Sequence, residues 1–221
     1  AQIFEVAPTT FVIQNVPQLG TCFHGTGHCF CPSCVRCSAQ FSASVCMQQE
    51  NFIKKYISNA ALRAAVGGVL VILLTLLVGN RDYNGAGMDV ITRAMAGEAD
   101  WCAFLLKILF TAVTLGAGFK GGEIVPTFFI GATFGCVVGP LLGLDPSFAA
   151  AVGLIALFCG VINCPVASFT LAVELFGGDG VIFFGIASAI GYMFSGYYGL
   201  YSGQKIVYSK LETKFIDVHT K

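Results

Sequence analysis

Along residues 50–221, long apolar stretches alternate with short breaks marked by glycine or proline. No Lys, Arg, Asp or Glu interrupts 124–144, 146–173 or 180–204. Each run meets or exceeds the roughly 20 apolar residues that cross a bilayer core. Strict alternation is absent, and glycine and proline recur too often for barrel strands, so the pattern predicts helices. The expected order begins with an amphipathic helix end at Phe52–Ser58 and an apolar helix near 60–79. A turn at Asp82–Gly87, a short amphipathic helix at Met88–Ala96 and an apolar helix at Trp101–Leu115, carrying Lys107, come next. After a glycine-rich break at Gly116–Gly122, a helix is expected over 123–143, then helices at 147–160, 165–176 and 180–195. A last helix is expected to begin near Tyr201.

Several of these segments are short or interrupted. Ala64–Val78 is uncharged but only about 22 Å long at 1.5 Å per residue. A core of roughly 30 Å then requires flanking residues, tilt or partial crossing. Pro126, Pro140 and Pro165 sit in or beside apolar runs. Broken helices are tolerated in a membrane where protein or a polar cavity receives the freed backbone groups, and they point to substrate sites.

Composition agrees with lipid as the solvent. The chain is 56% hydrophobic and 11% charged, with a mean hydropathy of +0.78, whereas soluble domains carry about 25% charged residues. A formal net charge of zero argues against nucleic acid as a partner. Basic residues are absent between Lys120 and Lys205, but the tail carries Lys205, Lys210, Lys214 and Lys221. The positive-inside tendency places that tail in the cytoplasm of a multi-pass protein of the cell membrane.

Residues 1–49 are a different material. They hold Cys22, Cys29, Cys31, Cys34, Cys37 and Cys46, with His24 and His28. The Cys31-x2-Cys34-x2-Cys37 spacing superficially suggests zinc or an iron–sulfur cluster. No separated second ligand pair accompanies it, so no metal and no cofactor is assigned. An atypical Cys-rich leader over 1–49 and a membrane unit over 50–221 is the expected division.

The most informative stretch is Gly118–Pro126, where a glycine-rich turn delivers the chain into an apolar helix. The first amides of a helix lack internal acceptors and its dipole favours negative charge there. Glycines let the backbone bend, and a proline near the start forfeits only an orphan N–H. Such a start can cradle a halide without a full counter-charge. An ordinary loop followed by a well-started helix gives the same spacing. By its residues alone Tyr201 is read as an interfacial aromatic, and Glu123 either steadies a helix N-terminus or handles protons. Glu174, on an apolar helix just before Gly177-Gly178, is read as structural and interface-facing. No nucleophile–base or metal constellation occurs in the membrane region, so an enzyme is not expected.

Gly121-Gly122-Glu123-Ile124-Val125-Pro126, continuing through Phe128-Phe129-Ile130-Gly131-Ala132-Thr133-Phe134-Gly135, resembles the GxFxP motif of the CLC chloride-channel and halide–proton antiporter family. The resemblance extends through Gly153–Gly160, Asn163-Cys164-Pro165, Leu171–Leu175 and Gly199-Leu200-Tyr201-Ser202. It implies an all-α polytopic membrane protein in which 50–221 is the second inverted repeat, with short, tilted and broken helices. It further implies transport of chloride or fluoride, protons as a second substrate in an antiporter, and a homodimer interface at 165–176 and 180–195. The anion would be held by the backbone amides of Glu123 and Ile124 and by the Tyr201 hydroxyl, with Gly121, Gly122 and Pro126 shaping the turn and helix start. Glu123 stands where the chloride-type pattern is apolar and resembles the fluoride/proton branch, and it is the implied proton-handling group. Val125 departs from the threonine typical of that branch.

A GSGIP-like segment and a GxEGP-like segment with a gating glutamate belong to the family's first repeat, and neither string occurs in this chain. The alternative expectation is therefore a truncated, non-transporting fragment or accessory membrane subunit, with a frame-shifted or unrelated leader.

Overall fold

The computed structural model describes residues 10–13, 15–16, 59–201 and 203–220. The cysteine-rich cluster of 22–46 and the expected helix end at Phe52–Ser58 lie outside the described residues. Described elements run α1 (Ala60–Val78), α2 (Met88–Met95), α3 (Ala103–Gly116), α4 (Ile124–Val138), a 3-10 turn (Pro140–Leu142), α5 (Pro146–Ile162), α6 (Pro165–Phe176), α7 (Val181–Phe194), β1 (Lys205–Tyr208) and β2 (Phe215–His219).

Helix limits follow local chemistry. The Asn59 side chain caps α1 by accepting from the Ala61 amide at 3.1 Å, and Gly79 ends it at φ 77°, a left-handed value that costs glycine least. Asp145 caps α5 through the amides of Ser147 at 3.0 Å and Phe148 at 3.3 Å, with Pro146 at the first helical position. Pro165 likewise opens α6 and so begins a helix without kinking one. The expected single helix over 123–143 is corrected: α4 stops at Val138 and Pro140 opens a separate turn. Proline lacks the N–H that would continue the helical hydrogen-bond ladder.

The centre of the fold is α5, buried almost continuously from Ser147 to Val161. It packs against α4 on one side and α7 on another. Gly131 and Gly135 on α4 and Gly139 at its C-cap repeat at helical spacing, a small-residue stripe of the kind that lets membrane helices approach closely. A Cβ at Gly135 would stand 2.2 Å from the Ala149 carbonyl oxygen, so only glycine fits that crossing. Phe129, Leu154, Ile155 and Phe184 are fully buried around the same crossing.

By length and composition, α1 alone among the described helices is long and apolar enough to cross a membrane in one pass. Leu62, Val69, Ile72, Leu76 and Leu77 on it are all more than half exposed. The remaining apolar helices are shorter, in keeping with the expected short segments. Near its N-terminus α1 is tied to the C-cap of α3: Arg63 Nε donates to the Ala117 carbonyl at 3.3 Å.

The helix expected from Tyr201 is corrected to an antiparallel hairpin, with Lys205 opposite His219, Ile206 opposite Val218 and Tyr208 opposite Phe215. Ile206, Val207, Tyr208, Phe215, Ile216 and Val218 are β-branched, aromatic or aliphatic residues split by a polar turn, which is strand and hairpin chemistry. Lys205 pairs with Asp217 at 2.7 Å across the strands.

The few described residues before α1 also dock on the core. The Phe11 amide donates to the Leu175 carbonyl at 2.9 Å, its ring lies 6.2 Å from that of Phe176, and Asn15 Nδ2 donates to Asp145 at 3.1 Å.

Candidate anion site at the start of α4

Between α3 and α4 the backbone reverses through Gly118, at φ 89°. The amides of Gly118 and Phe119 donate back to Leu115 at 2.9 Å and Thr114 at 3.3 Å. The chain then runs exposed through Lys120, Gly121 and Gly122 to Glu123, which precedes the first helical residue, Ile124. The Glu123 carbonyl accepts from the Thr127 amide at 3.3 Å and from Thr127 Oγ1 at 2.9 Å, which fixes the helix start. Amides in the first turn have no intrahelical acceptor and point away from the helix. A Cβ at Gly121 or Gly122 would meet nothing within 4 Å, so the turn faces open space.

That space is a cavity of about 690 Å³. Gly121, Gly122, Val125 and Pro126 line it on the α4 side, with Lys107 and Thr111 of α3 across from them. Lys107 is only 1% exposed, which is unusual for a lysine. Its Nζ donates to the Gly85 carbonyl at 2.7 Å and the Tyr83 carbonyl at 3.2 Å. It also lies 4.7 Å from the centre of the Phe129 ring. Two carbonyl dipoles and a ring face solvate the ammonium, and among the described residues no salt bridge neutralises it. The cavity therefore has a positive wall, and low-dielectric surroundings extend the field of such a charge.

Of the residues singled out in the sequence, Gly121, Gly122 and Pro126 share this cavity, whereas Glu123, Ile124 and Tyr201 do not line it. Ile124 is 37% exposed and Tyr201 48% exposed. Glu174 is exposed on α6. Tyr201 is held by its backbone, its carbonyl accepting from Thr220 Oγ1 at 2.6 Å and from the Gln204 amide at 2.9 Å. Just before it, the Leu200 amide donates to the Val161 carbonyl at 2.9 Å.

The sequence alone assigns no site role to two further groups. Lys107 was visible there as a lone charge in an apolar helix, a signal of function in membrane segments. Asn163 announces itself by preceding Cys164-Pro165: it ends α5 in the left-handed conformation at φ 60°, as Asn does at helix ends. Its Nδ2 donates to the Tyr198 carbonyl at 2.9 Å. Its Oδ1 accepts from Ser195 Oγ at 3.2 Å and from Lys210 Nζ.

Burial pushes the Lys210 ammonium down to about 8 from 10.5. Between those values the unfolded chain binds more protons than the folded one, so stability should rise as pH increases from about 8 toward 10.5. Thermal melts in detergent across that window should show the rise in wild type and a smaller one in Lys210→Met. Equal slopes in the two proteins would contradict this assignment.

Comparison with known proteins places this architecture. Residues 13–196 match the family described as voltage gated chloride channel, a match that begins ahead of residue 50. The chain is 36% identical over 165 residues to a chloride/fluoride channel protein of Pseudomonas syringae pv. tomato, covering 72% of this chain and 36% of that protein. It is 25% identical over 153 residues to the H(+)/Cl(-) exchange transporter ClcA of Vibrio parahaemolyticus, covering 61% of this chain and 32% of that protein. The chain thus spans about a third of the length of these curated relatives. Among solved structures, a CLC-type fluoride/proton antiporter superposes with a TM-score of 0.81 at 25% identity, covering 90% of this chain and 51% of that one. The helical fold is accordingly CLC-type, and the chain belongs to the voltage-gated chloride channel family, whose members are integral membrane transport proteins.

Proposed function

We propose that this chain contributes half of a transmembrane halide pathway, binding chloride or fluoride at the start of α4. The observation that carries the reading is the open glycine turn at Gly121-Gly122, leading into a helix N-terminus and sharing a cavity with the buried cation Lys107. The backbone amides of Glu123 and Ile124 supply neutral donors, the Tyr201 hydroxyl supplies another, and Pro126 shapes the first turn. Neutral donors hold an anion loosely enough for it to leave again. Glu123 is the proton-handling group if the protein exchanges halide for protons. The membrane unit includes 50–221, with the C-terminus in the cytoplasm. Exposed apolar residues on α6 and α7, among them Val166, Ile182 and Ile186, fit a homodimer contact in the bilayer.

The test is halide binding by calorimetry and halide flux with simultaneous pH recording, in a full-length protein that carries this chain. Tyr201→Phe keeps the ring and removes one donor, so affinity should fall by roughly 1–3 kcal/mol, the range for a hydrogen bond to a charged group. Ile124→Pro deletes an amide donor and should cost more. Glu123→Gln keeps the amide, so it should spare halide binding and weaken proton coupling. Unchanged affinity in both Tyr201→Phe and Ile124→Pro would falsify the site. The other reading, a non-transporting fragment or accessory subunit, is separated by flux from the purified 221-residue chain: robust flux from it alone excludes that reading.

A further inference from the structure

A lysine helps seat the C-terminal hairpin on the ends of two helices. Lys210 lies in the turn between β1 and β2, and its Nζ donates to Ser195 Oγ at 2.7 Å and to Asn163 Oδ1. The same ammonium lies 4.6 Å from the centre of the Tyr192 ring. Asn163 ends α5 and Ser195 ends α7, so one cation sits at two helix C-termini, where the backbone dipoles favour positive charge. Next to it Tyr197 Oη and Ser209 Oγ share a hydrogen bond of 3.0 Å, and Ile206 of β1 is buried.

These contacts converge on the segment bearing Tyr201. Upstream, Asn163 holds the Tyr198 carbonyl, and a Cβ at Gly199 would lie 2.7 Å from Asn163 Nδ2. Downstream, the carbonyls of Tyr201 and Gln204 both accept from Thr220, at the end of β2. Tyr201 is thereby suspended between the Asn163 side chain and the hairpin, and Lys210 bonds the first while belonging to the second.

We propose that Lys210 is a positioning residue for Tyr201, locking the hairpin onto the ends of α5 and α7 so that the tyrosine hydroxyl is held where the anion needs it. This rests on the reading that Tyr201 donates to the halide. The lock acts through Asn163 on one side and Thr220 on the other. Lysine suits the position because three donors on a flexible stem can serve two oxygens and a ring face together. Cys159 of α5 and Tyr192 of α7 are the titratable groups that bear on it from the packed helices, and Glu212 shares its turn.

A double-mutant cycle in the full-length protein tests this, because a residue acting through Tyr201 loses its effect once the hydroxyl is gone. Lys210→Met should weaken halide affinity about fivefold or more beside Tyr201, and by much less in the Tyr201→Phe background. Lys210→Arg should restore most of the affinity. Hydrogen exchange over residues 198–204 provides a readout independent of the anion. It should accelerate in Lys210→Met, return toward wild type in Lys210→Arg, and leave α4 and α5 unchanged. Equal losses in the two backgrounds, or unchanged exchange at 198–204 in Lys210→Met, overturn the proposal. Unchanged affinity in Tyr201→Phe alone overturns the site reading instead, and the exchange data then decide on the lock by themselves.

Discussion

Gly135→Val should leave the chain unable to assemble its helices. The Cβ alone would stand 2.2 Å from the Ala149 carbonyl oxygen and 2.9 Å from its carbon, atoms of the α5 backbone that have no rotamer by which to yield. The neighbouring positions leave no room for a compensating slide. A Cβ at Gly131 would lie 2.8 Å from the Gly153 oxygen, and one at Gly153 would lie 2.6 Å from the Gly131 oxygen. Moving α4 off α5 would open the core around Phe129, Leu154 and Ile155, which are buried to 3% exposure or less. Ordinary overpacking costs about 1–3 kcal/mol; a helix pair forced apart along its length should exceed that. In detergent, Gly135→Val should elute as aggregate or lose its cooperative melt. Gly68→Ala on α1 is the matched control, since a Cβ there meets nothing within 4 Å and removing a mid-helix glycine gains roughly 0.5–1 kcal/mol. A wild-type melt in Gly135→Val would contradict the close α4–α5 crossing at Gly135.

Lys107→Ala should be the most damaging change at a charged position. It strips the donor from the Tyr83 and Gly85 carbonyls and leaves a void against Phe129. Each orphaned buried acceptor costs about 1–3 kcal/mol, and the cavity left by the truncated stem adds to that loss. A loss of about 3 kcal/mol or more is expected, read as a lower melting temperature in detergent. Lys107→Met fills most of the volume and removes the desolvated charge, so it should recover part of that stability. It should not recover halide affinity, because the positive wall of the cavity is gone. Full affinity in Lys107→Met would confine the lysine to holding the 83–85 turn.

How much of this was legible in the sequence varies by element. The charge-free runs located α4 through α7, because burial in lipid or in a helix bundle excludes charge all round, and such runs need no partner to be read. Asp145 followed by Pro146, and Cys164 followed by Pro165, marked helix starts through backbone chemistry local to two residues. The hairpin after Tyr201 differs from the expected helix because Ile206-Val207-Tyr208 is a short β-branched and aromatic run bounded by polar turn residues, which favours a strand.

The sequence by itself determined the helical membrane character, the glycine-to-helix turn at Gly118–Ile124, and the family resemblance, all of which depend on residues adjacent in the chain. Only the tertiary structure decided that Lys107 forms one wall of the cavity behind that turn. Its partners are the carbonyls of residues 83 and 85 and the ring of Phe129, and backbone acceptors carry no signature in a sequence. The same holds for Lys210, 47 residues from Asn163 along the chain. Helices α5 and α7 pack closely because Gly191 has no Cβ, which would stand 2.5 Å from the Ala156 carbonyl oxygen. A lysine in the following turn then reaches both ends, and that proximity exists only once the helices have packed.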